Sequence, residues 1–342
     1  MEILEILETL GKAKGVSGFE EDIKKMAKKL LEPLCDEVYE SRMGSVVGVI
    51  KSGKEDAQKL MIDAHLDRIG LMVTEILKGG FVKFTAVGGV DPRILPGSEV
   101  YILGKEKVYG ITGALPPHLK SKEDKGKLPK ISEMLIDTGM DEETLKEKIS
   151  VGDAIIFKSE PIKLLNAQYC APAMDNRGGM AAVLWGVKQI QNSPYDIYIV
   201  FSTEEELGLH GAYTVAAEIS PDLSIVVDVT HGMTPDTKEE TGVFKTGSGT
   251  IICRGPNIDY ALAKSLINLA KENNIKYDIE VASGNSGTNG WAIQTAGEGI
   301  KTLLLSIPLK YMHTSVEILD LCDIEETGKL IKLIGEGGLL NA

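Results

Sequence analysis

A run of apolar residues ends in three consecutive carboxylates in the stretch Tyr198-Ile199-Val200-Phe201-Ser202-Thr203-Glu204-Glu205-Glu206-Leu207-Gly208. Such a run is typical of a buried strand, and the carboxylates would then lie at its tip. Because side chains alternate faces along an extended backbone, adjacent glutamates can take different tasks, such as binding a metal and accepting a proton. The alternative is an acidic first turn of a helix, where carboxylates are also favoured. The stretch alone favours the helix, and the rest of the chain favours the strand.

Length and charge restrict the class of protein. The chain of 342 residues exceeds the usual size of a single core, so we expect two domains. A net charge of −13 argues against a nucleic-acid partner. The sequence shows no signal-peptide pattern and no apolar stretch long enough to cross a membrane, so we expect no membrane partner and a cytoplasmic location.

Cysteine and histidine usage restricts the kind of metal site. The four cysteines lack any paired short spacing, which argues against a cysteine-based zinc site and against a disulfide framework. With only five histidines in the chain, a metal site would have to rest mainly on carboxylates.

The chain contains two kinds of predicted secondary-structure pattern. Helix-type and strand-type segments alternate in residues 1–69 and 166–342, which favours an α/β fold with a mainly parallel sheet and helices on both faces. Residues 70–165 contain short β-type runs separated by glycine and proline turns, which predict an inserted small β-barrel or sandwich. Residues 116–130 are predicted to be a long polar loop.

One helix boundary is predicted from local signals. Ser17 and Glu20 have the spacing of a capping box, which predicts a helix from about Phe19 to about Leu34.

Polar residues follow the ends of several predicted strands, where ligands bind in open α/β sheets. Two histidines and several carboxylates would converge there: His65, Asp67, Asp175, Glu205, Glu206, Asp228 and His313. Oxygen ligands with a little imidazole suit Zn, Co or Mn. An aspartate carboxylate can bridge two such ions. The pattern therefore indicates a site for divalent metal ions.

The motifs around these residues resemble those of the TET-type, or glutamyl, aminopeptidases, which are cytosolic dinuclear-metal exopeptidases. The resemblance covers nearly the whole chain, in order and in approximate spacing. It is carried by Ala64-His65-Leu66-Asp67, Ala173-Met174-Asp175-Asn176-Arg177, Glu205-Glu206-Leu207-Gly208-Leu209, Val227-Asp228-Val229-Thr230 and Pro308-Leu309-Lys310-Tyr311-Met312-His313. It implies a zinc-exopeptidase-like fold and the removal of N-terminal residues from short peptides.

The resemblance also implies a set of metal ligands. His65 and Asp228 would bind one ion, Glu206 and His313 the other, and Asp175 would bridge the two. Zn or Co would be the expected metals, with Mn possible. The inserted domain would serve dimer contacts and assembly into homo-oligomers as large as dodecamers.

Two further roles follow from the resemblance. Asp67 would bond the His65 ring and fix its tautomer. Glu205 would be the general base that takes a proton from water. Glu204 is the alternative base, but Glu206-Leu207-Gly208 favours the register that places Glu205 in this role.

The chain departs from the family pattern at three positions. Arg68 replaces a common acid, Asn289 replaces a common aspartate, and Lys310 replaces a common arginine. We expect them near the pocket, so they bear on substrate preference rather than on the hydrolytic chemistry. The alternative functions are another dinuclear amidohydrolase (a deacylase or a carboxypeptidase), an endoglucanase-type glycoside hydrolase, and a non-catalytic shell protein.

Overall fold

A computed structural model describes residues 2–119, 127, 129–238 and 242–340. In chain order, the helices of the described part are α1 (Ile3–Gly11), α2 (Glu21–Leu31), α3 (Glu142–Lys148), α4 (Met174–Val187), α5 (His210–Ile219), α6 (Tyr260–Glu272), α7 (Asn289–Ile293) and α8 (Leu321–Leu333). Its strands are β1 (Glu37–Glu40), β2 (Val46–Ile50), β3 (Lys59–His65), β4 (Gly70–Ile76), β5 (Phe81–Val87), β6 (Glu99–Leu103), β7 (Lys107–Gly113), β8 (Leu135–Asp137), β9 (Ala154–Phe157), β10 (Ile162–Lys163), β11 (Gln168–Ala171), β12 (Asp196–Ser202), β13 (Leu223–His231), β14 (Thr250–Arg254), β15 (Tyr277–Val281), β16 (Lys301–Leu309) and β17 (Glu317–Asp320).

The main sheet has eight strands in the order β1-β2-β12-β3-β13-β16-β14-β15. Its four central strands, β12, β3, β13 and β16, pair in parallel, whereas β1, β2 and the β14–β16 pair add antiparallel contacts. The predicted mainly parallel α/β sheet is therefore confirmed. Its central strands end at one edge of the sheet, where the predicted ligand residues lie.

Apolar composition explains why these strands are central. All but the last residue of β13 are buried, as expected for a parallel strand with helices over both faces. Helix α4 packs against α1 and α8, and α5 packs against α7, so the helices form two separate layers. No helix in the described part of the chain is both long and apolar enough to cross a bilayer.

The β-type segments form a closed barrel in the strand order β4-β5-β8-β7-β6-β9. Strict alternation along β7 buries every second residue inside the barrel. The predicted inserted β-barrel is confirmed, and its strands run from Gly70 to Phe157. The division of the chain at residues 70 and 165 stays a prediction. Most of the predicted loop at 116–130 lies outside the described residues.

The capping-box prediction for α2 is wrong, because the helix begins only at Glu21 and has no side-chain cap. The carboxylate of Glu20 instead accepts the backbone N–H groups of Gly18 at 3.0 Å and Glu204 at 3.1 Å. Glu20 therefore combines a local bond to Gly18 with a tertiary bond to Glu204, and the latter connects the N-terminal region to the loop after β12.

Candidate metal centre

A cleft of about 570 Å³ opens at the carboxyl ends of the central strands. His65 is the last residue of β3, and the three glutamates follow the end of β12. Asp228 lies within β13, and His313 lies in the segment between β16 and β17. Asp175 lies at the start of α4, just after β11. The fold therefore brings side chains from five separate parts of the sequence to one place.

The first ligand group consists of His65, Asp175 and Asp228. His65 Nε2 lies 2.9 Å from Asp175 Oδ1 and 3.7 Å from Asp228 Oδ1. One ligand atom from each of the three lies within 4.8 Å of the others. All three residues are buried, so their charges are poorly compensated by water.

The second ligand group consists of Asp175, Glu206 and His313. His313 Nε2 lies 3.3 Å from Asp175 Oδ2 and 3.4 Å from Glu206 Oε1. These ligand atoms also lie within 4.8 Å of one another. Asp175 thus presents one oxygen to each group, which is the arrangement that a bridging carboxylate requires.

The mutual electrostatics show how strongly these groups interact. His313 has its pKa raised to about 11 by hydrogen bonds with Asp175 and Glu206. Burial lowers the pKa of His65, but Glu205, Asp175 and Asp228 together raise it well above its ordinary value. For Asp175, burial raises the pKa, but the bonds from both imidazoles outweigh it and leave the pKa well below normal. The carboxylates therefore favour a positive charge at the ring nitrogens, and a divalent cation would supply one there.

Burial shifts the pKa of the two remaining carboxyl groups of the ligand groups upward, against the bonds from the imidazoles. Burial and the charge of Asp175 raise the pKa of both Glu206 and Asp228 above the ordinary value. Carboxylates crowded in a buried cleft either bind protons or share a cation. Both ligand groups combine oxygens with one imidazole, a donor set that suits Zn, Co or Mn. The residues present therefore fit a pair of divalent ions.

Glu205 and Glu204 face different surroundings. Glu205 lines the cleft, and burial with the nearby carboxylates of Asp228 and Asp175 raises its pKa to about 9, against the opposing effect of His65. Glu204 Oε2 lies 3.1 Å from His210 Nδ1, and neither of these residues lines the cleft. This geometry supports Glu205 as the candidate base.

Asp67 positions the glutamate loop as well as the histidine. Its two carboxylate oxygens accept the backbone N–H groups of Glu205 and Glu206, each at 3.1 Å. His65 Nδ1 lies 3.2 Å from the Asp67 carbonyl oxygen and 3.4 Å from Oδ1. The backbone carbonyl is therefore the nearer partner of the ring, and the carboxylate mainly fixes the loop that carries the glutamates.

Glu317 was not predicted from the sequence. Its side chain accepts the backbone N–H of His313 at 2.8 Å with one oxygen and that of Asp175 at 3.1 Å with the other. Pairing of β11 with β17 places Glu317 opposite Ala171, four residues before Asp175. Burial and the charge of Asp175 raise the pKa of Glu317 to about 8, while the two N–H donors and Arg68 oppose this shift. No local pattern marks such a residue, because its partners are backbone groups far apart in sequence.

Several site loops hold a non-glycine residue in the left-handed region. The φ angles are +60° at Ala173, +52° at Glu204 and +61° at His313. This conformation costs roughly 1–2 kcal/mol for an L-residue. Strain of this kind concentrates where surrounding contacts fix a functional geometry, which agrees with the placement of the ligand groups.

The barrel also reaches the second ligand group. His313 Nδ1 lies 3.0 Å from the carbonyl oxygen of Gly89, in the segment after β5. A Cβ on Gly89 would lie 2.8 Å from His313 Nδ1, and one on Gly88 would lie 3.1 Å from Glu206 Oε2. Glycine at these positions allows the barrel backbone to approach the ligands closely.

Comparison with protein families supports the same interpretation as this geometry. A family model described as M42 glutamyl aminopeptidase matches residues 44–330. The chain belongs to this family. The family model and a relative named aminopeptidase show that the chain is a hydrolase of that class, and the family implies divalent metal ions.

A curated relative is the lysyl aminopeptidase of Pyrococcus furiosus, which is 33% identical over 338 residues, covering 97% of this chain and 96% of the relative. The solved TET aminopeptidase of a marine-sediment Thaumarchaeota archaeon superposes with a TM-score of 0.92 at 29% identity, covering 98% of this chain and 96% of that one. The TET1 peptidase of Pyrococcus horikoshii can assemble into a tetrahedron or a large octahedral shell. It superposes with a TM-score of 0.85 at 28% identity, covering 98% of this chain and 100% of that one. A Thermotoga maritima protein named endoglucanase superposes with a TM-score of 0.80 at 30% identity, covering 98% of both chains.

Within this M42 fold, none of the three departures is itself part of the cleft lining. Arg68 lines a second cavity beside the barrel, and its charge opposes the raised pKa of Glu317. Asn289 follows Thr288, which lines the cleft, and donates from Nδ2 to Asp63 Oδ2 and Ser202 Oγ, both at 2.8 Å. Lys310 Nζ lies 3.5 Å from Gln168 Oε1. The effect of these residues on substrate preference stays a prediction.

Proposed function

We propose that this M42 aminopeptidase removes N-terminal residues from short peptides by means of two divalent cations. The observation that carries the proposal is the shared Asp175, whose two oxygens face His65 and His313 at 2.9 and 3.3 Å. His65 and Asp228 would hold one ion, and Glu206 and His313 the other. When bound, such ions lower the pKa of a water molecule and polarise the scissile carbonyl. Zn and Co are the metals we favour, and Mn also suits the donor set.

Glu205 would be the general base. Its carboxylate would accept a proton from the attacking water and return it to the leaving amine. The hydrogen bond from its N–H to Asp67 fixes the backbone from which the side chain projects. Asp67 would therefore act as a positioning residue, through the glutamate loop and through His65.

The cleft also supports a preference for basic N-terminal residues. Glu280 lines it outside both ligand groups, and its Oε1 accepts the hydroxyl of Thr230 at 3.0 Å. A carboxylate in this place would pair with a lysine or arginine side chain of the substrate. The name of the lysyl aminopeptidase relative supports the same preference. Glu280→Gln should then reduce kcat/KM for lysyl substrates and spare leucyl ones, whereas an equal loss on both would make Glu280 an anchor for the substrate amine.

Assembly and location are part of the proposal. The TET1 neighbour forms large closed shells, which supports a homo-oligomer between a dimer and a dodecamer for this chain. Exposed apolar side chains on and next to the barrel, including Ile111, Leu115 and Val151, are suited to such contacts. A cytoplasmic location agrees with the four cysteines being free thiols.

Turnover of aminoacyl-nitroanilides by the metal-loaded enzyme tests the proposed reaction. We expect release of nitroaniline that stops in a strong chelator and returns with Co or Zn. Activity only on N-acyl amino acids would support a deacylase. A cellulose-chain substrate hydrolysed equally well in chelator would support the glycosidase alternative, since paired carboxylates need no metal for that chemistry.

A further inference from the structure

An open groove of about 450 Å³ adjoins the metal cleft beside α5. Its apolar side consists of Met43 from the turn between β1 and β2, Tyr213 of α5 and Trp291 of α7. These three residues are 40%, 45% and 39% exposed, so a ligand in the groove can contact all of them. Large apolar side chains that are exposed together mark a binding surface more often than isolated ones do.

The groove and the metal cleft share part of their walls. Gly208 and Leu209 line both, and they follow Glu206, a proposed ligand of the second ion, by two and three residues. Gly208 contributes only backbone to the shared wall, and its φ of +128° lies in the region that favours glycine. A peptide that begins at the metal centre can therefore continue into the groove along the protein surface.

Charge distinguishes the two cavities. The cleft contains carboxylates, including Glu280 outside both ligand groups, whereas His210 alone can carry a charge near neutral pH among the described residues that line the groove. His210 Nδ1 already faces Glu204 Oε2 at 3.1 Å. The hydroxyls of Thr214 and Thr295 in the groove donate to nearby backbone carbonyl oxygens, each at 3.0 Å. Because an ammonium group without a partner is unfavourable against apolar surface, the amino terminus of a peptide belongs in the cleft and its later residues in the groove.

We propose that this groove binds the apolar or aromatic side chains of the peptide residues that follow the N-terminal one. The inference rests on the proposed aminopeptidase function and names its substrate class, which is peptides with an apolar residue after the scissile bond. Tyrosine and tryptophan rings offer large rigid contact areas on which such side chains pack. The volume of the groove lies in the range of small-molecule sites. Glu280 and the groove then select different parts of one substrate.

Peptides that share an N-terminal residue and differ in later ones test the groove. We would measure kcat/KM of the metal-loaded enzyme for Leu-Ala-Ala-Ala, Leu-Phe-Ala-Ala and Leu-Ala-Phe-Ala. We expect roughly a tenfold preference for a phenylalanine peptide, because its ring leaves water on binding, and we expect Trp291→Ala to remove this preference. The matched control is Tyr109→Ala, since Tyr109 is 40% exposed, lies on β7 and lines neither cavity. The control should keep the preference.

Three kinetic results would overturn the proposal. The first is a wild type that does not prefer either phenylalanine peptide. The second is a preference that survives both Trp291→Ala and Tyr213→Ala. The third is an equal loss on all three peptides, which would mean that the aromatic residues only support the structure.

Tryptophan fluorescence tests occupation of the groove without turnover. The chain has two tryptophans, Trp185 in α4 and Trp291. Leu-Phe-Ala-Ala added to metal-loaded Glu205→Gln should shift the emission to shorter wavelength as Trp291 leaves water, and Trp291→Phe in the same background should abolish the shift. Constant emission while calorimetry records peptide binding would overturn the proposal. A wild type that hydrolyses no aminoacyl-nitroanilide would count against the proposed function alone, because the emission shift reports the groove independently of hydrolysis.

The alternative occupant of the groove is a second copy of this chain. Sedimentation velocity of the wild type and of Trp291→Ala separates the two. We expect assemblies of equal mass, because the groove is open to peptide. A smaller assembly in the variant would assign the groove to contacts between subunits and overturn the proposal.

Discussion

Glu317 accepts the backbone N–H of His313 at 2.8 Å, and this bond fixes a proposed ligand residue whose own φ is +61°. The other carboxylate oxygen of Glu317 accepts the N–H of Asp175. A single buried side chain therefore fixes the backbone of two proposed ligands of the second group. Asp67 likewise fixes the backbone of Glu205 and Glu206.

Glu317→Gln should weaken the second metal site. A glutamine can offer its oxygen to only one of the two backbone N–H groups. Its NH2 group would then face the other N–H, and two donors cannot form a hydrogen bond. We expect a loss of about 10–100-fold in affinity for the second metal, which is typical when an outer partner of a ligand is removed. Metal content after dialysis at graded free-metal concentrations measures this effect. Two ions bound as tightly as in the wild type would show that Glu317 does not position the ligands.

Glu205→Gln should retain both metals and lose turnover. Removing a general base typically costs about 10²–10⁴-fold in rate. The matched control is Glu204→Gln, because Glu204 contacts His210 and does not line the cleft. Steady-state rates and metal analysis on the same preparations separate the two roles. If the Glu204 variant were the inactive one, the register of the three glutamates would be wrong by one residue.

Gly89→Ala should disturb His313 from the barrel side. The new Cβ would lie 2.8 Å from His313 Nδ1, so the ring would have to move away from the Gly89 carbonyl. We expect weaker binding of the second metal and reduced activity, while the first ligand group stays intact. Gly113→Ala serves as the control, since its Cβ would have only one contact, at 3.8 Å, in β7 of the same barrel. Equal behaviour of the two variants in metal titrations would count against a role for the barrel in the site.

Metal binding should release protons at neutral pH. The protein groups alone hold the pKa of His313 at about 11, so that ring is protonated at pH 7, and they raise the pKa of His65 well above its ordinary value. A metal ligand must be a neutral imidazole, so the His313 ring gives up its proton to bind. Apparent affinity should therefore rise as pH rises, with protons released on binding at pH 7. Calorimetric titration in buffers of different ionisation enthalpy measures the number of protons released on metal binding. An absence of proton release would show that the imidazole rings are not protonated before the metal binds.

Much of the site could be predicted from the sequence because parallel strands end at one edge. His65 and Glu205 lie at the ends of apolar runs that are typical of buried strands, so their convergence follows from the fold class. Glu317 and Glu20 could not be found in this way. Their carboxylates bind backbone N–H groups contributed by distant segments, and backbone groups leave no signature in the residue types.

The error at α2 has the same origin. Ser17 and Glu20 have the spacing of a local cap, but the carboxylate of Glu20 accepts the N–H groups of Gly18 and of the distant Glu204. Spacing along the chain predicts local partners, and it fails where a tertiary partner competes for the same group.

Anomalous scattering from a crystal of the metal-loaded protein, recorded at the absorption edge of the bound metal, is the decisive test for a metal pair that shares Asp175. We expect two peaks on either side of the Asp175 carboxylate, one beside His65 and Asp228 and one beside Glu206 and His313. A single peak, or peaks that leave Asp175 without a metal contact, would contradict it.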